Sequence, residues 1–215
     1  DQKRLHPHLN TAISDRLWSQ AFWAAFLHDF GKAADGFQEV LRGEKGDWWM
    51  RKHRHEVLSL GFVDWLFPQG HPDRLNVIAM VICHHKDASP IFDKYGGIVE
   101  FSHINDEQEK QSLREMLTGL AKNITAETAH HLWRWIDECA HDWAAELGFT
   151  LIDPPKLKPF DEALIRSLDK AIFRALRHFH DSSQDRSFQE TRPFLLLRGL
   201  ILSADRSPGC SRTRG

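Results

Sequence analysis

The sequence predicts an all-α fold. Three observations carry that expectation: apolar residues recur at helical spacing in most of the chain, no run alternates apolar and polar residues as a half-buried strand would, and glycine or proline separates the periodic segments. No internal repeat appears, and 215 residues are enough to bury a core without disulfides or oligomerisation. One domain over residues 1–206 is expected, followed by a short polar tail at 207–215.

The first helix is expected from Asp15, with Ser14 as its N-cap and Leu17, Trp18, Ala21, Phe22, Ala25 and Phe26 as its apolar stripe. It runs into Ala24-Ala25-Phe26-Leu27-His28-Asp29-Phe30-Gly31-Lys32, where a His-Asp doublet meets a glycine. A short helix from Ala33 turns Phe37, Val40 and Leu41 inward and stops at Gly43, and residues 43–47 form a loop. Trp48-Trp49-Met50 then adjoins Arg51-Lys52-His53-Arg54-His55, an aromatic pair beside a basic cluster. It is either a lip that stacks bases and holds phosphates, or a pair of tryptophans covering the core.

His55 opens a helix bearing Val57, Leu58, Leu60, Phe62, Val63, Leu66 and Phe67, stopped by Pro68 and Gly70. Asp73 caps the next, apolar on most faces from Leu75 to Ile82 and ending at His84-His85. Residues 86–105, with Pro90, Gly96 and Gly97, form a long surface loop suited to act as a lid or to guide a substrate. A charged, solvent-facing helix follows at 106–121, then a longer one at 125–147 with Leu132, Trp135, Ile136, Cys139 and Trp143 as its stripe. Its His130, His131 and His141 lack a carboxylate doublet and are assigned to the surface or to packing, outside the site.

Residues 153–159, rich in proline, form an extended connection, and Asp161 starts a helix carrying Leu164, Ile165, Leu168, Ile172, Phe173, Leu176 and Phe179. His178 and His180 lie on it two apart, so they face different ways. After a polar loop, Pro193 starts a last helix, nearly continuous in apolar residues from Phe194 to Leu202. It ends at Ser203-Ala204-Asp205-Arg206, where an acid opposes the helix dipole and needs a partner such as a metal.

Composition narrows the chemistry. Cys83, Cys139 and Cys210 show no C-x-x-C spacing, which argues against a disulfide framework or a thiolate zinc site and fits a reducing cytoplasm. No apolar stretch is long enough for a bilayer, and no signal-like segment is seen. The net charge of −2 announces no nucleic-acid partner, whereas fourteen histidines, several paired, point toward metal chemistry. Imidazoles and carboxylates without thiolates suit Mn²⁺, Fe²⁺, Co²⁺, Ni²⁺ or Zn²⁺, with Mg²⁺ also admitted. Two neighbouring cations on such ligands suit phosphodiester hydrolysis, because they acidify water and neutralise the leaving oxygen.

The ordered set His8, His28-Asp29, His55, His84-His85 and Asp205 resembles the HD phosphohydrolase superfamily. With His-Asp-Phe-Gly-Lys, then His55-Glu56-Val57-Leu58-Ser59, a paired histidine and Ser203-Ala204-Asp205, it is similar to the HD nuclease of type I CRISPR nuclease-helicases. The resemblance implies a helical HD domain with one or two metals at its centre: His8, His28, Asp29 and Asp205 on one ion, and Asp29 bridging to a second on His55, His84 and His85. His6 is close enough to stand in for His8. Asp29 and Lys32 would be catalytic, Lys32 steering the scissile phosphate or serving as a solvated helix-end charge; Arg51, Lys52, Arg54 and Trp48 would hold the strand. The implied partners are single-stranded DNA, a helicase module and a crRNA-guided surveillance complex, with no membrane. No G-x-x-x-x-G-K-[ST] occurs in this chain, so it is expected to be a stand-alone nuclease or an excised domain. The alternatives are a phosphohydrolase of nucleotides or cyclic nucleotides, and a non-catalytic helical module.

Overall fold

The computed structural model describes residues 11–84, 91, 93–95 and 107–183; among these every regular element is helical and none is a strand. The helices are α1 (Thr11–Leu27), α2 (Asp35–Leu41), α3 (Asp47–Arg51), α4 (His55–Leu66), α5 (Arg74–Cys83), α6 (Glu107–Ala121), α7 (Ala126–Glu146), α8 (Glu162–Arg166) and α9 (Leu168–Ser183), with a 3₁₀ turn at Phe30–Ala33 between α1 and α2. No helix among the described residues is long and apolar enough to cross a membrane.

Helix α4 is the axle, because its sequence is apolar on nearly every face and almost all of it is buried. α9, α5 and the 3₁₀ turn pack around it, while α1 lies on α5. At Gly61 a Cβ would meet Leu168 Cδ1 at 2.2 Å, so glycine is what lets α4 and α9 approach. Two charged members of the core pair with each other. Arg74 is fully buried, with Nη2 2.6 Å from Asp64 Oδ1, and donates to the Phe67 carbonyl at 2.7 Å and to His178 Nδ1 at 3.1 Å. Arg174 donates to the other oxygen of Asp64 at 2.5 Å, so one carboxylate ties α4, α5 and α9.

Several boundaries differ from the sequence expectation. α1 begins at Thr11, one turn before the expected Asp15. Asp73 stands at the N-cap of α5 but caps nothing: its Oδ1 takes Arg16 Nε at 2.7 Å and the Gln20 amide, binding α5 to α1. The helix expected from Asp161 breaks at Ser167, whose hydroxyl donates to the Ala163 carbonyl at 2.7 Å. Ile91, Asp93, Lys94 and Tyr95 fall within the expected surface loop but are helical, with Ile91 and Tyr95 buried. The buried line of α7 is Ala129, Ile136, Ala140 and Ala144, which rotates Trp135 and Trp143 to its margin. There their rings cover Phe26 at 4.7 and 5.5 Å.

α6 is not wholly solvent-facing either, since Leu117, Leu120 and Ala121 are buried. The extended connection after α7 is as expected, and it is pinned to α1: Trp23 Nε1 donates to the Ile152 carbonyl and the Ile152 N–H donates to Ser19 Oγ, both at 2.9 Å. The helix expected from Pro193 and the tail from Ser207 lie outside the described residues.

Candidate metal centre

The His-Asp doublet sits where α1 ends. His28 still donates its N–H to Ala24 O at 2.9 Å, and Asp29, with φ −102° and ψ 4°, turns the chain into the 3₁₀ turn. Phe30 drives that turn inward against Phe62, Phe26 and Trp135 at 5.5 to 5.9 Å. Gly31 then passes so close to α4 that a Cβ there would lie 2.0 Å from the His55 carbonyl oxygen. That approach brings the doublet beside His55, the first residue of α4.

Asp29 presents its two oxygens to different partners. Oδ2 lies 3.2 Å from His28 Nε2 and 2.8 Å from Lys32 Nζ. Oδ1 lies 3.3 Å from His55 Nε2 and 4.0 Å from His84 Nε2, and although buried it makes no well-formed hydrogen bond. Ligand atoms of His28, Asp29 and His84 fall within 4.8 Å of one another. Burial opposes ionisation of Asp29, but His28, His55 and Lys32 outweigh it and hold the carboxyl well below the usual range. The acid is therefore an anion at neutral pH.

The imidazoles are set for ligation. His28 Nδ1 is 2.6 Å from the Ala25 carbonyl and His84 Nδ1 is 2.6 Å from the Val81 carbonyl. A carbonyl accepts only, so both rings carry a proton on Nδ1 and turn Nε2, the nitrogen left to ligate an ion, toward Asp29. His55 has Glu56 Oε2 3.5 Å from its Nδ1. Glu56 is itself buried and accepts from Arg54 Nε at 2.7 Å. Burial would raise the Glu56 pKa; the neighbouring His55 and Arg54 charges outweigh it and lower it. An oxygen facing two imidazole Nε2 atoms, with nitrogen and oxygen donors only, fits a divalent transition metal.

Of the expected ligands, His28, Asp29, His55 and His84 converge, with Lys32 on the shared acid. His8, His85 and Asp205 lie outside the described residues, as does His6. The expected strand lip is altered. Trp48 is buried against Phe37 and His53 and offers no stacking face; the exposed ring is Trp49. His53 is buried too, and burial with the nearby Lys94 charge lowers its pKa to about 4. Arg54 is engaged by Glu56, which leaves Arg51 and Lys52 outermost, Arg51 donating to Asp47 at 2.7 Å. Arg51 faces a cavity of about 620 Å³ shared with Gln111, Arg114, Thr118 and Lys122, and none of the converging ligands lines it. His130, His131 and His141 are exposed, as expected.

Glu56 and Ser59 carry no role in the sequence reading, yet both bear on the centre. Ser59 follows His55 by one helical turn and so shares its face, which is the signal that marks it.

The family model for "Cas3, HD domain" matches residues 2–206. No curated protein and no solved structure matches the chain. With that match over nearly the whole sequence, the chain belongs to the Cas3 HD-domain family, the metal-dependent HD nucleases of CRISPR systems.

Proposed function

We propose that this domain cleaves single-stranded DNA in the cytoplasm during CRISPR interference, supplied with strand by a helicase module at a crRNA-guided surveillance complex. The observation that carries the reading is Asp29, whose one oxygen faces His28 and Lys32 while the other faces His55 and His84. Such a carboxylate spans two ligand groups. His28 and Asp29 Oδ2 would hold one divalent ion, and Asp29 Oδ1, His55 and His84 a second; His8 and Asp205 would complete the first and His85 the second.

When bound, the ions supply Lewis-acid chemistry, acidifying water and taking up charge on phosphoryl oxygens. The protein's own part is orientation. The fixed Nδ1 protons of His28 and His84 keep their Nε2 atoms aimed at the acid, and Glu56 faces the far side of the His55 ring. Lys32, held 2.8 Å from Asp29 Oδ2, is placed to move its ammonium onto a phosphate oxygen as the strand enters.

The test is to incubate metal-free protein with single-stranded DNA, duplex DNA and nucleotides, each with Mn²⁺, Fe²⁺, Co²⁺, Ni²⁺, Zn²⁺ or Mg²⁺. Single-stranded DNA should be cut with at least one transition metal and stay intact without metal. Turnover of nucleotides with an intact strand would move the domain to the small-molecule phosphohydrolases. A salt titration then tests the lip. Replacing Arg51 and Lys52 by alanine should flatten the dependence of single-strand binding on ionic strength, by about 0.7 in the log–log slope for each phosphate that the variant no longer neutralises. Arg54 is left in place because its removal strands the buried Glu56. An unchanged slope would mean that the strand enters from another side.

A further inference from the structure

We infer that Ser59 is a positioning residue, a strut whose hydroxyl fixes the separation between Asp29 and His55 and with it the spacing of the metal ligands. The inference rests on the metal-centre reading above. Ser59 is completely buried in α4, one turn beyond His55. Its Oγ accepts from the Gly31 N–H at 2.9 Å and lies 2.9 Å from the His28 carbonyl and 3.1 Å from the His55 carbonyl. A hydroxyl has one proton and two lone pairs, so the single O–H is shared between the two carbonyls while a lone pair takes the amide.

The two grips outside α4 fall on either side of Asp29: one on the carbonyl that precedes it, the other on the amide two residues after it. The Asp29 side chain makes no capping bond to the 3₁₀ turn, so the Gly31 N–H, one of the donors that a helical start leaves unpaired, has Ser59 instead. The same oxygen touches the carbonyl of ligand His55. Three backbone groups belonging to the His28–Gly31 turn and to His55 thus meet at one atom. The bare approach of Gly31 to the His55 carbonyl gives contact but no direction; the hydroxyl supplies direction.

The experiment is calorimetric titration of Mn²⁺ into the metal-free protein, with thermal unfolding recorded with and without the ion, for the parent, Ser59→Ala, Ser59→Thr and Val57→Ala. Val57 is equally buried on the same helix but touches no ligand segment in this way, so it reports what a packing defect does. Ser59→Ala should lose about 10-fold to 100-fold in Mn²⁺ affinity, the range for removing a group that orients a ligand. Ser59→Thr, which keeps the hydroxyl, should bind within a few-fold of the parent. Val57→Ala should unfold at lower temperature yet keep the parent's affinity. A parent that binds Mn²⁺ beside a Ser59→Ala variant of equal affinity overturns the strut and leaves the metal centre standing. An equal affinity loss in Val57→Ala also overturns it. A parent that takes up no Mn²⁺ overturns the metal centre and the strut together.

Discussion

Asp29→Ala is expected to abolish DNA hydrolysis while the metal-free fold stays intact. The carboxylate supplies an oxygen to each half of the site, so its loss removes a donor from His28 and from the His55–His84 pair at once. The penalty should exceed the roughly 10-fold to 100-fold that loss of an outer-shell partner costs. Stability should hardly move, because the side chain is more than a third exposed and no core packing depends on it. The turn around it is held by Phe30, Gly31 and Ser59, none of which is altered. Circular dichroism should superpose on the parent, and cleavage should be absent at saturating metal. Turnover close to the parent's would show that Asp29 is not the shared ligand.

The second large effect is on folding. Asp64→Ala leaves the Arg74 guanidinium completely buried without its anion, and frees Arg174 as well. Removing one partner of a buried pair costs about 3–5 kcal/mol, a large part of the roughly 5–15 kcal/mol that holds a domain together. For a chain of this length that is a fall of roughly 6–20 °C in Tm. Replacing both partners with apolar residues, as Asp64→Leu with Arg74→Met, should recover much of the loss, since no charge is then stranded. A thermal scan of Asp64→Ala showing a shift below about 3 °C would reduce the network to a surface-like contact. Arg74 opens α5 while His84 follows its opposite end, so metal affinity is expected to change little as long as the variant stays folded.

The helices are legible in the sequence because the apolar period is a local property, and so is the place of His28, Asp29, His55 and His84, the four residues that meet, each at a helix end. What the sequence hides is mostly long-range. Asp73 has the right type and place for a cap, but Arg16 and Gln20 claim it from 57 and 53 residues away. Trp48 and Trp49 are identical in type and adjacent, and only the packing of Phe37 and His53 decides which ring is buried. On α7 hydropathy puts the tryptophans in the stripe, yet small Ala129, Ala140 and Ala144 allow the closest approach while the large rings fill the margin over Phe26. Arg54 reads as a free cation beside Arg51 and Lys52, because nothing local says that Glu56, in a helix apolar enough to be buried, must have a partner.

The two Nδ1–H bonds of His28 and His84 go to carbonyls of their own helices, three residues back. Each ring's tautomer is thereby written into a single helix and needs neither the other ligands nor an ion. The chain therefore folds with both Nε2 atoms already turned toward Asp29, so the cost of ordering these two rings is met when their helices form. Affinity at a site of nitrogen and oxygen donors follows the general order of divalent ions, so geometry and metal supply together would select among them.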